Sequence, residues 1–378
     1  MMNSHDEILE KFQTVSESPH VYAASAKEQT GKKILGFFCS YAPEELIQAA
    51  GAIPFRLFGA ARDIELADSH LQSYCCSLVR GGLEDALRGR LDFLDGTVFP
   101  HTCDSIQRLS DIWRLNAGFG IHIDAVMPVK LHTPSARQYM VDVLAGVRSD
   151  LEKALGIRIS DSDVSQSIRL YNGIRSKLLA LYQLRSANPG IVPQSAVYHT
   201  MKAAMVMDRE ELAKDLEILL PSLEKVSAET GGSGRKRILL AGGICNHPDI
   251  YKIIDKAGGD VVWDDLCTGV RYATGLIEES GAPIEAIAER YMHRLVCPAK
   301  HMSTTARGEN LVAEAIGKKI DGVVFLHLKF CDPHAFDYPY LKEYLAGKNV
   351  PSMLLEIEEQ PPAEEQLRTR FETFIDML

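Results

Sequence analysis

The chain has 378 residues, of which 46% are hydrophobic and 24% charged, and it carries a formal net charge of −10. That balance excludes a disordered chain, and the lack of a Lys/Arg-rich block argues against nucleic acid or an anionic membrane as the main partner. No apolar run reaches the roughly 18 residues that a spanning helix needs. The opening "MMNSHDEILEKFQ" is polar and acidic, unlike a signal peptide. A cytoplasmic protein, long enough for two cores, is the expectation.

The first strong element is "KKILGFF", an apolar β-type run that ends at Cys39. Pro43 then leads a helix, Ala50-Gly51 follow it, and "AIPFRL" reads as the next strand. "QSYCCSLVRGGLE" carries the doublet Cys75-Cys76. "DFLDGTVFPHTCD" gives Asp95-Gly96, an apolar strand, then Cys103-Asp104. Residues 162–187 and 209–229 have helical periodicity and read as a connector. "ETGGSGRKR" (229–237) is a Gly/Ser break and the clearest boundary, with the wrong spacing for a phosphate loop.

Beyond the break the pattern repeats. "KRILLAGGICNHPDIYKIIDKAGGDVVWDD" runs strand, Cys245, Pro248, helix, Gly258, strand, and Cys267 follows in "DDLCTG". "LVCPAKH" holds Cys297. "KKIDGVVFLHLKFCD" again gives Asp-Gly (Asp321-Gly322), an apolar strand, then Cys331-Asp332. Two copies of one α/β unit are expected, each a parallel sheet with helices on both faces.

Eight cysteines in a reducing compartment favour metal binding or catalysis over disulfides. No C-x-x-C pair occurs, so zinc ribbons and ferredoxin-type ligand runs are unsupported. Cys39, Cys103, Cys245, Cys267 and Cys331 all follow expected strands. Ligands of open parallel sheets bind outside the strands' carboxyl ends, so these thiols would line one cleft between the two units. Thiolate-rich sites select zinc, Cu(I) or iron–sulfur clusters; an iron–sulfur cluster suits a cleft between domains better than structural zinc.

The blocks "FFCSYAPEELIQAAGAIPFRL", "QSYCCSLVRGGLE", "DFLDGTVFPHTCDSIQRLSDIW" and "DGVVFLHLKFCDPHAFDYPYLK" resemble the 2-hydroxyacyl-CoA dehydratase and benzoyl-CoA reductase components over nearly the whole chain. The resemblance implies α/β architecture with two related flavodoxin-like parallel-sheet domains, a helical connector and a cluster in the interdomain cleft. The expected bounds are 1–150, 151–232 and 233–378. It places three cluster ligands at Cys76, Cys103 and Cys331, with Arg80 favouring Cys76 over Cys75. Cys39, Cys267 and Cys297 resemble the additional cysteines of the double-cubane cluster branch. Two four-iron cubanes joined by one sulfide need six thiolates, which these six supply. Cys75 and Cys245 are left over, and Cys245 is taken as structural.

What the resemblance implies is thus an oxidoreductase with a double-cubane [8Fe-9S] cofactor, of anaerobic metabolism and homodimeric, that reduces small molecules. Its electrons would come from a separate ATP-hydrolysing iron–sulfur activator; the chain itself has no P-loop motif. The alternative is a single [4Fe-4S] cluster in one subunit of a heterodimeric 2-hydroxyacyl-CoA dehydratase or benzoyl-CoA reductase. His101, His327 and His301 are the candidate proton donors. Asp264-Asp265 are expected to bond backbone near Cys267, and Asp104 and Asp332 to cap helices. The aromatic run "HAFDYPYLKEYL" is expected to pack as a helix start and core face.

Overall fold

The structure is a computed structural model that describes residues 4–59, 63–226, 234–247, 249–294, 297–303, 305–358 and 362–378. Most of the Gly/Ser break, and Pro248, lie outside the described residues. Two helices lead, α1 (Ser4–Glu17) and α2 (Pro19–Thr30). Then come β1 (Ile34–Phe37), α3 (Glu44–Ala49), β2 (Ile53–Arg56), α4 (Ser77–Leu87), β3 (Gly96–Pro100), α5 (Asp104–Asn116) and β4 (Ile121–Ala125). The long helices α6 (Pro134–Leu155), α7 (Asp161–Ala187), α8 (Gln194–Ala204) and α9 (Arg209–Val226) follow.

The second half runs β5 (Lys236–Gly242), α10 (Asp249–Lys256), β6 (Gly259–Asp265), α11 (Val270–Ala273), α12 (Pro283–His293) and α13 (Ala306–Gly317). It ends with β7 (Gly322–Leu328), α14 (Asp332–Ala346), β8 (Ser352–Ile357) and α15 (Glu364–Asp376). No described helix is long and apolar enough to cross a membrane.

The strands form two four-stranded sheets, ordered β2-β1-β3-β4 and β6-β5-β7-β8, and every pairing is parallel. The expected α/β class with two flavodoxin-like parallel sheets is what the chain adopts. Each sheet has the same order, so the repeat read from the sequence is also a repeat of topology. It extends to single atoms. Asp95 accepts the backbone N–H of Ile34 at 2.8 Å, and Asp321 accepts that of Arg237 at 2.7 Å. Each Asp-Gly pair thus ties the start of its third strand to the start of the first.

Period-two burial is lost in the central strands because both faces are covered. One face of each sheet contributes to a continuous core that runs from Phe38 and Phe99 through Leu178 and Leu216 to Leu239 and Phe325. On the other face of the first sheet, Leu35, Phe37 and Val98 meet Leu144 of α6 and Ile287 and Tyr291 of α12. Helix α12 belongs to the C-terminal half in sequence, yet it packs with α6 on the first sheet. The segment after it stays there: His301 donates its backbone N–H to Val129 at 2.8 Å and accepts that of Leu131 at 2.9 Å. Cys297 lies between these two anchors. The division at residues 150 and 232 remains our proposal; residue 150 falls inside α6, and α6 to α9 carry the chain from one sheet to the other.

Candidate functional site

Strand order changes direction between β1 and β3 and again between β5 and β7, and chain ends at such points leave a crevice. Cys39 and Cys103 follow β1 and β3; Cys245 and Cys331 follow β5 and β7. The turns there are unusual. Cys39 has φ +60°, and Phe330, just before Cys331, has φ +65°. Side-chain-bearing residues reach this left-handed region at a cost, and they persist there where the surroundings enforce it.

Three thiols stand at helix starts. Cys76, Cys103 and Cys331 are the N-cap residues of α4, α5 and α14. The expected capping by Asp104 and Asp332 is therefore corrected: each lies one residue inside its helix, and Asp104 pairs with Arg108 at 2.9 Å. Free N–H groups and the helix dipole at such positions favour negative charge on sulfur.

Electrostatics sort the thiols into two neighbouring sets. Cys39 and Cys267 are hydrogen-bonded to one another; the bond pushes the Cys39 thiol up and holds the Cys267 thiol well down, aided by Arg56 and Arg271. Cys297 is raised by burial, with the Cys267 thiol acting in the same direction. In the second set, burial pushes Cys76 up to about 12 and the Cys103 thiol adds to it. Cys331 is raised by burial, then by Cys76, Cys103 and Cys297. Cys297 also acts on Cys103, which burial already raises, so the two sets meet.

Of the two remaining thiols, Cys245 stands apart, while Cys75 also acts on Cys76. Cys245 packs among Ile250, Tyr251 and Val261, with its Sγ 3.7 Å from the carbonyl of His247. Burial raises it to about 12, and its charged neighbours are Asp264 and Lys202 rather than any of the six. Cys75 turns toward Gln72 at 3.8 Å, and its pKa is raised by burial against Ser105, Arg108 and Arg80.

Buried cations stand near Cys39, Cys103, Cys267 and Cys297. Arg56, Arg271, Arg294, Lys300 and Arg307 are all buried. Arg56 donates to the Cys267 Sγ at 2.9 Å and to its carbonyl at 3.2 Å. Arg307 pairs with Asp265 at 3.0 Å and Asp337 at 2.7 Å. Arg56 Nε, Arg271 Nη1 and Arg294 Nε have no hydrogen-bond partner among the described residues, while Arg271 Nε faces the Asp265 carboxylate at 3.4 Å. Such orphaned donors are costly in a folded interior.

The loop that carries Cys267 is wound around one carboxylate. Asp264 accepts the N–H groups of Leu266 at 3.1 Å and Val270 at 2.7 Å, and the hydroxyl of Tyr182. The expectation of backbone bonding holds for Asp264, whereas Asp265 pairs with Arg271 and Arg307. A Cβ at Gly269 would sit 2.0 Å from the Asp264 carboxylate, so only glycine allows this wrap.

The histidines differ in surroundings. His101 bonds Asp124 at 2.7 Å, and Asp124 also accepts from Ser110. His327 lies 3.3 Å from the Cys331 carbonyl. His301 lines a cavity of about 370 Å³ together with His132, Lys300, Arg307, Phe336 and Tyr340. Pro298, next to Cys297 in the chain, and Pro333, two residues after Cys331, also line it. The aromatic run after Cys331 does not pack wholly inward as expected: Phe336 and Tyr340 are exposed at this rim, while Leu341 and Leu345 fill the core side. The sequence reading missed His334, whose Nδ1 is 3.3 Å from the Cys331 Sγ; its place three residues after a capping thiol was the available signal. Among the described residues no three His, Cys, Asp or Glu side chains converge as ligands of a single ion.

Two parallel sheets of one strand order, with cysteines following their strands and buried cations in the same region, define the class: an α/β protein of doubled parallel-sheet architecture. The family is shown by comparison: residues 39–378 match the family described as 2-hydroxyglutaryl-CoA dehydratase, D-component, and the chain belongs to it. It is similar to the (R)-phenyllactyl-CoA dehydratase beta subunit of Clostridium sporogenes, 28% identical over all of both chains. It is also similar to one of the benzoyl-CoA reductase subunits of Thauera aromatica, 28% identical over 92% of this chain and 91% of that one. The (R)-2-hydroxyglutaryl-CoA dehydratase beta subunit of Acidaminococcus fermentans is 27% identical over 98% of this chain and 99% of its own.

Proposed function

We propose that the chain is an iron–sulfur reductase component that takes low-potential electrons from an ATP-hydrolysing iron–sulfur activator and passes them to a small molecule. A double-cubane [8Fe-9S] group would be held by Cys39, Cys267 and Cys297 on one side and by Cys76, Cys103 and Cys331 on the other. The observation that carries this reading is that these six thiols form two adjoining sets of three, while Cys245 has other neighbours and Cys75 acts on Cys76 alone among them. The residues present fit such a group. Three of the thiols stand at helix N-termini and Arg56 bonds the Cys267 Sγ, and an anionic sulfur-rich centre would give the orphaned arginine N–H groups acceptors.

When bound, the group would supply electrons at low potential. The chain's own part is ligation, charge compensation and exclusion of water, which together set that potential. The cavity at His301 and Lys300 is the proposed route for the substrate, with His301 the candidate proton donor that lines it; proton delivery through His101 or His327 remains a proposal of the same kind. We place the protein in the cytoplasm, as a homodimer.

One observation favours a second reading. The similar proteins are all subunits of dehydratases or a reductase, so a single [4Fe-4S] group on Cys76, Cys103 and Cys331, in a heterodimer acting on a CoA thioester, is the alternative. Iron and sulfide quantitation after anaerobic purification separates them. About eight irons per chain supports the first and about four the second; protein without iron contradicts both.

A further inference from the structure

We infer that the Tyr41 hydroxyl is a hydrogen-bond donor to the sulfur of the group held by the six thiols, and so a positioning residue that tunes its reduction potential. The inference rests on the proposed cluster. It starts from an orphan: Tyr41 is fully buried, and its hydroxyl proton has no acceptor among the described residues. Leaving such a group unpaired is costly in a folded interior, and phenylalanine would avoid that cost in the same space.

The ring cannot turn to find another acceptor. The Arg294 guanidinium lies 4.2 Å from its centre, the Lys300 ammonium 5.6 Å, and the Tyr291 ring 5.6 Å. Each neighbour is itself fixed: Arg294 to the Ser40 carbonyl at 2.6 Å, Tyr291 to the Ala42 carbonyl at 2.7 Å, Lys300 to the Met127 carbonyl at 3.1 Å. The charged neighbours of the hydroxyl are Arg294 and the Cys297 and Cys39 thiols, and the Cys297 backbone N–H donates to the phenolic oxygen and so does not accept its proton. The phenol's own proton therefore faces the thiol-lined crevice. Segment 39–41 is consistent in this respect, since the Ser40 hydroxyl lies 3.6 Å from the Cys267 Sγ. A thiolate or sulfide of a bound cluster is the acceptor that the geometry lacks, and a donor stabilises the more negative, reduced state.

The test is Tyr41→Phe in the anaerobically purified protein, with an EPR-monitored redox titration and iron analysis. Iron content is expected to match wild type, because tyrosine is not a ligand, and the midpoint potential is expected to shift negative. An unchanged potential with full iron content would overturn the inference and leave the cluster reading standing. Wild-type protein without iron would overturn both. A second readout needs no variant: the wild-type cluster signal should show a hyperfine-coupled proton that disappears in D2O, and its absence counts against Tyr41 even if the variant loads poorly.

Discussion

Arg56 reaches the Cys267 Sγ at 2.9 Å from a fully buried position 211 residues away in sequence. This contact joins the end of β2 in the first sheet to the loop after β6 in the second. Arg56→Met keeps the aliphatic stem and removes both donors to Cys267. Breaking one side of a buried charged contact is expected to destabilise the iron-free protein by about 2 kcal/mol, less than for a permanent ion pair because the thiol can take a proton. Arg56→Lys should rescue little, since one ammonium cannot reach sulfur and carbonyl as the fork does. Urea unfolding of the two variants checks this; wild-type stability in Arg56→Met would contradict it.

Asp264 makes the pH dependence specific. Burial raises its carboxyl to about 6 from an ordinary 3.8. The folded state therefore keeps a proton that the unfolded chain releases, so this group's contribution is full below about 3.8, is lost as pH rises to about 6, and is flat above. The loss is up to about 3 kcal/mol. Asp264→Asn retains an acceptor for the Leu266 and Val270 amides but cannot titrate. The stability difference between wild type and variant should change with pH only in that window, and a pH-independent difference would refute the assignment.

Cys39 carries a backbone cost separate from its sulfur. At φ +60° a Cβ is strained by about 1–2 kcal/mol. In iron-free protein Cys39→Gly should therefore be more stable than Cys39→Ala by about that amount. Equal midpoints in denaturant would mean that the turn carries no such strain.

Much of this arrangement was legible in the sequence, for identifiable reasons. Strand, thiol and Asp-Gly recur at corresponding places in both halves, and parallel sheets put such ends at one rim. The repeat thus exposed Asp95 and Asp321, whose bonds to Ile34 and Arg237 proved equivalent. Helix capping by Cys76, Cys103 and Cys331 was less visible, because the aspartates that follow two of them imitate caps. The cations were not visible at all. Arg56, Arg271, Arg294, Lys300 and Arg307 share no local pattern; only tertiary packing gathers them. Nor does any periodicity tell α12 to cross back onto the first sheet, a choice made by the fit of Ile287 and Tyr291 against Phe37 and Leu144.

The most direct measurement compares iron bound by Cys297→Ser and Cys245→Ser with iron bound by wild type, all purified without oxygen. The account predicts that Cys297→Ser loses a large share of its iron while Cys245→Ser, whose sulfur sits in an apolar core apart from the six, keeps the wild-type amount. Full iron in Cys297→Ser together with depleted iron in Cys245→Ser would contradict it.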